Sequence, residues 1–149
     1  MNRYSFPIKA LALPIFLIAF AIFGCSSPDE VDISVRAPTT VPLGRRFEFH
    51  AIVQNTSSTE KILVDLDVAE EYLEGIVVEG TQPQFLEAYH LPIDNTMSYS
   101  FDIPIEPGGQ TLVVFSAYAA KTGDFSGEID FCINSEIACL SYPIRTIID

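Results

Sequence analysis

The sequence predicts an all-β domain, an antiparallel β-sandwich of about eight strands, behind an N-terminal secretory segment. Three observations point to it. From Val31 onward apolar residues recur with a period of two. Turn-forming residues punctuate the chain about every ten positions, the spacing of short strands. No stretch after Val31 sustains the 3.6-residue period of a helix.

Val31, Ile33, Val35 and Ala37 alternate with Asp32, Ser34 and Arg36, as in a half-buried strand. Pro38 and Pro42-Leu43-Gly44 interrupt the pattern. Phe47, Phe49, Ala51 and Val53 form the next apolar row and place His50 on the opposite face. Asn55-Thr56-Ser57-Ser58-Thr59 is a polar turn. Ile62, Val64, Leu66 and Val68 predict a third inward row, with Leu63, Asp65 and Asp67 outward. Ala69 to Leu73 fits one helical turn, and Ile76-Val77-Val78 a short strand ending at Gly80. The stretch from Thr81 to Thr96 holds Pro83, Pro92 and Asp94-Asn95 and reads as a long connection. Tyr99, Phe101, Ile103 and Ile105 then alternate, with Pro104 pointing to an edge or a bulge near the strand end. Glu106-Pro107-Gly108-Gly109 is a turn, and Thr111 to Ala120 reads as a central strand covered on both faces. The expected core is Phe47, Phe49, Val53, Val64, Leu66, Phe101, Ile103, Val114, Phe131 and Leu140.

The end of the chain permits a register to be deduced. Cys132 and Cys139 are a nearby pair and, outside the cytoplasm, read as a disulfide. Antiparallel pairing of those two also sets Phe131 opposite Leu140, Ile129 opposite Tyr142 and Ile133 opposite Ala138. All six partners are apolar and share one face, while the cysteines share the other with Asp130 and Ser141. A slip of one residue would destroy the match. The predicted hairpin turns near Ser135-Glu136. A metal alternative needs two further ligands, and the histidines, His50 and His90, lie far away in sequence.

The N-terminus carries its own signal. Arg3 and Lys9 precede an uncharged run from Ala10 to Phe23, 14 residues long. That is short of the roughly 20 needed to span a bilayer and suits a secretory signal. The run closes as Ile22-Phe23-Gly24-Cys25, which resembles the bacterial lipobox. The resemblance implies that Cys25 receives a diacylglyceryl group on its thiol and becomes the first residue of a lipid-anchored protein. Residues 1–24 are then the signal peptide, 25–30 a lipidated tether reaching at most about 18 Å, and 31–149 the folded domain. Ser26 favours export to the outer membrane in an organism that has two. Cleavage would remove two of the eight basic residues and none of the 20 acidic ones, moving the net charge from −12 to −14. Such a domain repels nucleic acid and anionic headgroups.

Several turn motifs are similar to those of bacterial immunoglobulin-like domains found in cell-surface proteins. They are Val41-Pro42-Leu43-Gly44, then Ala51 to Thr56 with its turn asparagine, Ile105-Glu106-Pro107-Gly108 before a long strand, and Gly123-Asp124-Phe125 before the next. The similarity runs from Val31 to about Ile133. The chain departs from antibody domains in having no tryptophan, and the terminal disulfide hairpin is not part of the usual pattern. The resemblance implies a binding or spacer module.

No nucleophile elbow, metalloprotease helix or phosphate loop occurs, so no catalytic residue and no enzyme activity are expected. Asp65 with Asp67, and Asp124 with Glu128 and Asp130, are acidic groups without the dense spacing of a calcium loop. They read as solvated faces, with no metal and no cofactor expected. Phe85, Tyr89 and His90 fall in the long connection, a place where recognition residues gather. The alternative there is that Phe85 and Leu91 cap one end of the sandwich. The expected function is a lipid-anchored cell-envelope module that binds a protein partner. The competing expectation is a small-ligand or carbohydrate-binding lipoprotein.

Overall fold

The computed structural model describes residues 30–149. The signal segment, the lipobox, Cys25 and tether residues 25–29 lie outside the described residues. Ten strands and one helical turn follow in order: β1 (Val31–Arg36), β2 (Thr40–Val41), β3 (Arg46–Asn55), β4 (Lys61–Ala69), α1 (Glu70–Leu73), β5 (Ile76–Gln82), β6 (Glu87–Leu91), β7 (Thr96–Ile105), β8 (Gln110–Ala119), β9 (Gly123–Ile133) and β10 (Cys139–Ile148). They form an immunoglobulin-like sandwich of a four-stranded sheet, β1-β3-β8-β5, and a six-stranded sheet, β2-β10-β9-β4-β7-β6. All pairings are antiparallel except β2 with β10.

Burial fills the space between the sheets. Phe49, Ala51, Val53, Val113, Phe115 and Ala117 project from the smaller sheet; Leu63, Leu66, Val68, Ile129 and Phe131 project from the larger. The Phe49 and Phe115 rings stack at 4.6 Å, and Tyr99 of the opposite sheet meets Phe115 edge-on at 5.3 Å. The turn α1 carries the chain from one sheet to the other. Its Tyr72 is fully buried against Phe49 and places its hydroxyl 3.1 Å from Thr146 Oγ1.

The hairpin register agrees with the deduction from sequence. Cys139 stands opposite Cys132, Leu140 opposite Phe131 and Tyr142 opposite Ile129, and the two cysteines are disulfide-bonded. The ladder stops at the cysteines and does not extend to the expected Ile133–Ala138 pair.

Other expectations need correction. The segment 81–96 is not a plain connection, because Glu87–Leu91 forms the edge strand β6 on β7. With the short β2 it raises the strand count to ten. In β4 the inward row is Leu63, Leu66 and Val68; Val64 is only half-buried and Ile62 is exposed. The cause is a bulge at Val64: Leu63 stands opposite Ile133, yet Asp65 stands opposite Cys132, so one extra residue turns the strand over. A second bulge in β7, with Asp102 at φ 55°, lies where the β4 partner changes from Ile103 to Ser100. Strand β8 is central but covered on one face only. Val113 and Phe115 point inward, Val114 does not, and Leu112 is exposed on the outside. Glu30, read as the last tether residue, is tied to the fold: its carboxylate lies 2.8 Å from the buried Lys61 Nζ.

Candidate functional site

The outward face of the six-stranded sheet is unusual because parts of it are not solvated. Strand registers set its side chains in rows running from β6 to β10. One row is Glu87, Ser100, Asp65, Cys132 and Cys139; the next is Tyr89, Ser98, Asp67, Asp130 and Ser141. Small hydroxyls thus flank aspartates at the centre of the sheet. The β6–β7 turn, with Asp94, and the β9–β10 tip, with Glu136 and Ile137, rise on either side. Asp65 is 3% exposed and Asp67 8%, which corrects the expectation that this pair is a solvated face.

Between those walls lies an open groove of about 330 Å³ lined by Asp67, Leu91, Asp94, Asp130, Glu136, Ile137, Cys139 and Ser141. A second depression of about 300 Å³ shares Asp94 and Asp130 and adds Glu71 and Glu128. Neither is lined by a basic residue. Elsewhere on the domain, Lys61 meets Glu30, Arg46 meets Glu79 and Arg145 meets Asp124. That last pair takes Asp124 out of the expected cluster with Glu128 and Asp130.

Two of the three central aspartates have a hydroxyl partner. Ser100 Oγ donates to Asp65 Oδ1 and Ser141 Oγ to Asp130 Oδ1, both at 2.5 Å. Asp67 does not share this arrangement. Its Oδ2 lies 3.6 Å from the disulfide sulfur of Cys132, and its Oδ1 has no hydrogen-bond partner. The buried hydroxyls of Ser98, opposite Asp67 on β7, and of Thr96, opposite Ala69, also lack partners. Burial pushes the Asp67 carboxyl up to about 6; the Ser98 hydroxyl, close but without a well-formed hydrogen bond, draws it down, and the charges of Asp65, Asp130 and Asp94 raise it further.

A pH dependence follows. The folded-state value lies above the ordinary 3.8, so the folded state holds this proton more tightly than the unfolded chain. The associated stability is complete below about pH 3.8 and is lost as pH rises through about 6. Asp67→Asn is expected to stabilise the protein at pH 7 by about 1–3 kcal/mol and to remove this component of the pH slope. Urea unfolding of the two proteins at pH 4 and pH 7 checks it, the other carboxylates cancelling in the difference.

The residues expected to form a binding loop are not brought together. Phe85 packs on Tyr99 at 5.4 Å and on the core, as the capping alternative has it, whereas Leu91 lines the groove on the outer face instead. Tyr89 and His90 are neighbours on β6 and so point to opposite faces of the sheet. His90 Nε2 lies 2.7 Å from Glu70 Oε1, and His50 Nε2 lies 3.6 Å from Glu48 Oε2, on the expected outer face of its strand. The groove residues Asp94, Glu136 and Ile137 carry no motif that sequence reading could detect. The available signal was the matching of outward Asp65 and Asp67 with outward Ser98 and Ser100, which becomes visible only once β4 and β7 are paired.

No family model and no curated protein matches this chain. Solved structures do. The crystal structure of the CARDB domain of the PF1109 protein from Pyrococcus furiosus, in complex with di-metal ions, matches with a TM-score of 0.53 at 10% identity, covering 80% of this chain and 87% of that one. A Y1175G mutant of Salmonella alpha-2-macroglobulin matches with a TM-score of 0.51 at 13% identity; 80% of this chain aligns with only 7% of that much longer one. AvmM, described as catalysing macrocyclization in alchivemycin A biosynthesis, matches with a TM-score of 0.50 at 6% identity, over 80% of this chain and 89% of that one. At such identities the likeness establishes the fold. The chain is an immunoglobulin-like β-sandwich, an architecture that hosts many unrelated functions.

Proposed function

We propose that this chain is a lipid-anchored interaction module of the bacterial cell envelope, non-catalytic, and that it binds a protein partner. In this reading Cys25 carries the lipid, and Ser26 directs the protein to the outer membrane where there are two. The observation that carries the partner-binding reading is the edge of the six-stranded sheet. Strand β6 pairs on one side only, and exposed Leu86 (69%) and Ile93 (97%) flank it at either end, while Ile137 on the β9–β10 tip, 95% exposed, adds apolar area on the opposite wall of the groove. An unpaired edge offers backbone donors and acceptors to an incoming strand. Exposed aliphatics beside it add apolar area to the contact.

The competing reading, a sugar or small-molecule site, calls for a concave pocket with converging aromatics. The groove is lined by acids and aliphatics, whereas Phe49, Tyr72, Phe85, Tyr99 and Phe115 pack against one another in the interior. The non-catalytic reading rests on the sequence, which holds none of the motifs sought.

The experiment is crosslinking of the lipoprotein in its native membrane, followed by mass spectrometry. Wild type should co-purify a stoichiometric envelope protein. Ile93→Asp with Ile137→Asp should reduce its recovery at least tenfold, while Leu112→Asp on the far sheet leaves it unchanged. Recovery of the lipoprotein alone would turn the reading towards a small ligand. Metabolic labelling with palmitate, lost in Cys25→Ser, tests the anchor.

A further inference from the structure

We propose that the outer face of the smaller sheet lies against the bilayer, with Ile52, Leu112 and Val77 as its apolar contacts, so that the β6 edge and the groove face away from the membrane. This orientation rests on the lipid-anchor reading and goes beyond it.

The attachment point limits which surfaces can meet the membrane. Val31 opens β1, an edge strand of the smaller sheet, and stands opposite Asn55 of β3. Ile52 and Leu112 stand opposite each other on the next two strands, in the row of Ser34. Three residues along the strand and two strands across put Leu112 about 14 Å from Val31. That is inside the reach of about 18 Å for a tether from Cys25 to Glu30. Strand β6 lies at the far edge of the other sheet, whereas β1 packs beside β10.

Charge selects among the surfaces, because a bilayer with anionic lipids is negative at its surface. The outer face of the larger sheet gathers Asp67, Asp94, Glu128, Asp130 and Glu136 around depressions lined by no basic residue. The end of the sandwich where Glu30 bonds Thr56 carries Glu60 and Glu106, both exposed. On the outer face of the smaller sheet, Arg36 and Arg46 nearly offset Asp32, Glu48 and Glu79, and Arg46 holds Glu79 in an ion pair. The net charge that repels anionic headgroups is thus unevenly spread, and repulsion of the acidic surfaces favours the same orientation. The smaller sheet also turns apolar side chains outward, where a one-sided antiparallel sheet is normally polar. Leu112 and Val77 are exposed, and Ile52 and Val114 are half-buried beside Leu112. Tyr118 stands opposite Val77, and a tyrosine suits the boundary between headgroups and acyl chains. Ile93 and Ile137 are more exposed, but they stand on the walls of the acidic groove.

The test uses the full lipoprotein in vesicles of phosphatidylethanolamine and phosphatidylglycerol that carry a nitroxide on the lipid headgroup. A fluorophore is attached through Ser116→Cys on the smaller sheet, Ser126→Cys on the larger, or Ser58→Cys at the tether end, one at a time and all at exposed positions. Flotation with the vesicles reads the anchor and should be lost in Cys25→Ser. In floated protein, quenching by the nitroxide should be at least twofold stronger at position 116 than at 126 or 58. Leu112→Glu with Val77→Glu, both outside the core, should abolish that excess and leave flotation unchanged. Floated protein quenched equally at the three positions, or most strongly at 58 or 126, would overturn the orientation while the anchor stands. So would an excess at 116 that survives the double substitution. Wild-type protein that does not float would overturn the anchor, and the orientation with it.

Discussion

Phe115→Ala is expected to destabilise the protein by about 3–5 kcal/mol, the range for removing a fully buried aromatic ring. Phe115 is 0% exposed and sits where the two sheets meet. Its ring stacks on Phe49 within its own sheet and receives the edge of Tyr99 from the other. Truncation would leave a cavity between these two aromatic neighbours, packed side chains with little freedom to collapse into it. Leu112, three residues earlier in the same strand, is 43% exposed on the opposite face. Leu112→Ala should cost less than about 1 kcal/mol. Urea unfolding of both variants measures the difference, and similar losses would mean that β8 is not oriented as described.

Asn55→Ala is expected to cost about 2–4 kcal/mol, a large effect for a turn residue, because each buried polar group left unpaired carries about 1–3 kcal/mol. Asn55 is completely buried at the end of β3. Its Nδ2 donates to the carbonyls of Ile105 and Thr59, and its Oδ1 accepts from the Ser57 backbone and hydroxyl. Its backbone bonds Gly108 and Gly109, so one residue joins β3 of the smaller sheet to the end of β7 in the larger and to the β7–β8 turn. Asn55→Asp keeps the acceptor but loses the donor and buries a charge, so it should be no better than alanine. Equilibrium denaturation measures both, and a loss below about 0.5 kcal/mol for alanine would show that water replaces the side chain.

The fold was legible where two independent constraints agreed. In the terminal hairpin, the cysteine pairing and the apolar rows demanded the same register, and β9 and β10 follow it. It was illegible where one residue broke the alternation. The extra residue at Val64 turns β4 over, so Leu63 rather than Val64 enters the core. In β8 the apolar run Leu112-Val113-Val114-Phe115 fits either phase, and burial of Phe115 decides it. Strand β6 was hidden because an edge strand with Glu87, Ala88 and His90 exposed has no apolar row to detect.

The candidate site was legible only in part. The disulfide could be read, as could the fact that Asp65 and Asp67 share a face. Alternation tells which side of a sheet a residue occupies, not what rises around it. The groove walls come from the β6–β7 turn and the β9–β10 tip, 40 residues apart in sequence between Asp94 and Asn134 but adjacent through β7, β4 and β9. Phe85 was drawn into the expected binding loop by its aromatic character, and the structure spends that character on Tyr99.

Site-specific photocrosslinking in the native membrane tests the partner-binding claim most directly. A photoreactive residue is placed in turn at Ile93, Ile137, Leu112 and Val77, all of them exposed, the first two on the two walls of the groove and the last two on the smaller sheet. The interaction-module account predicts one envelope protein captured from positions 93 and 137 and not from 112 and 77. Equal capture from all four positions, or none from any, would contradict it.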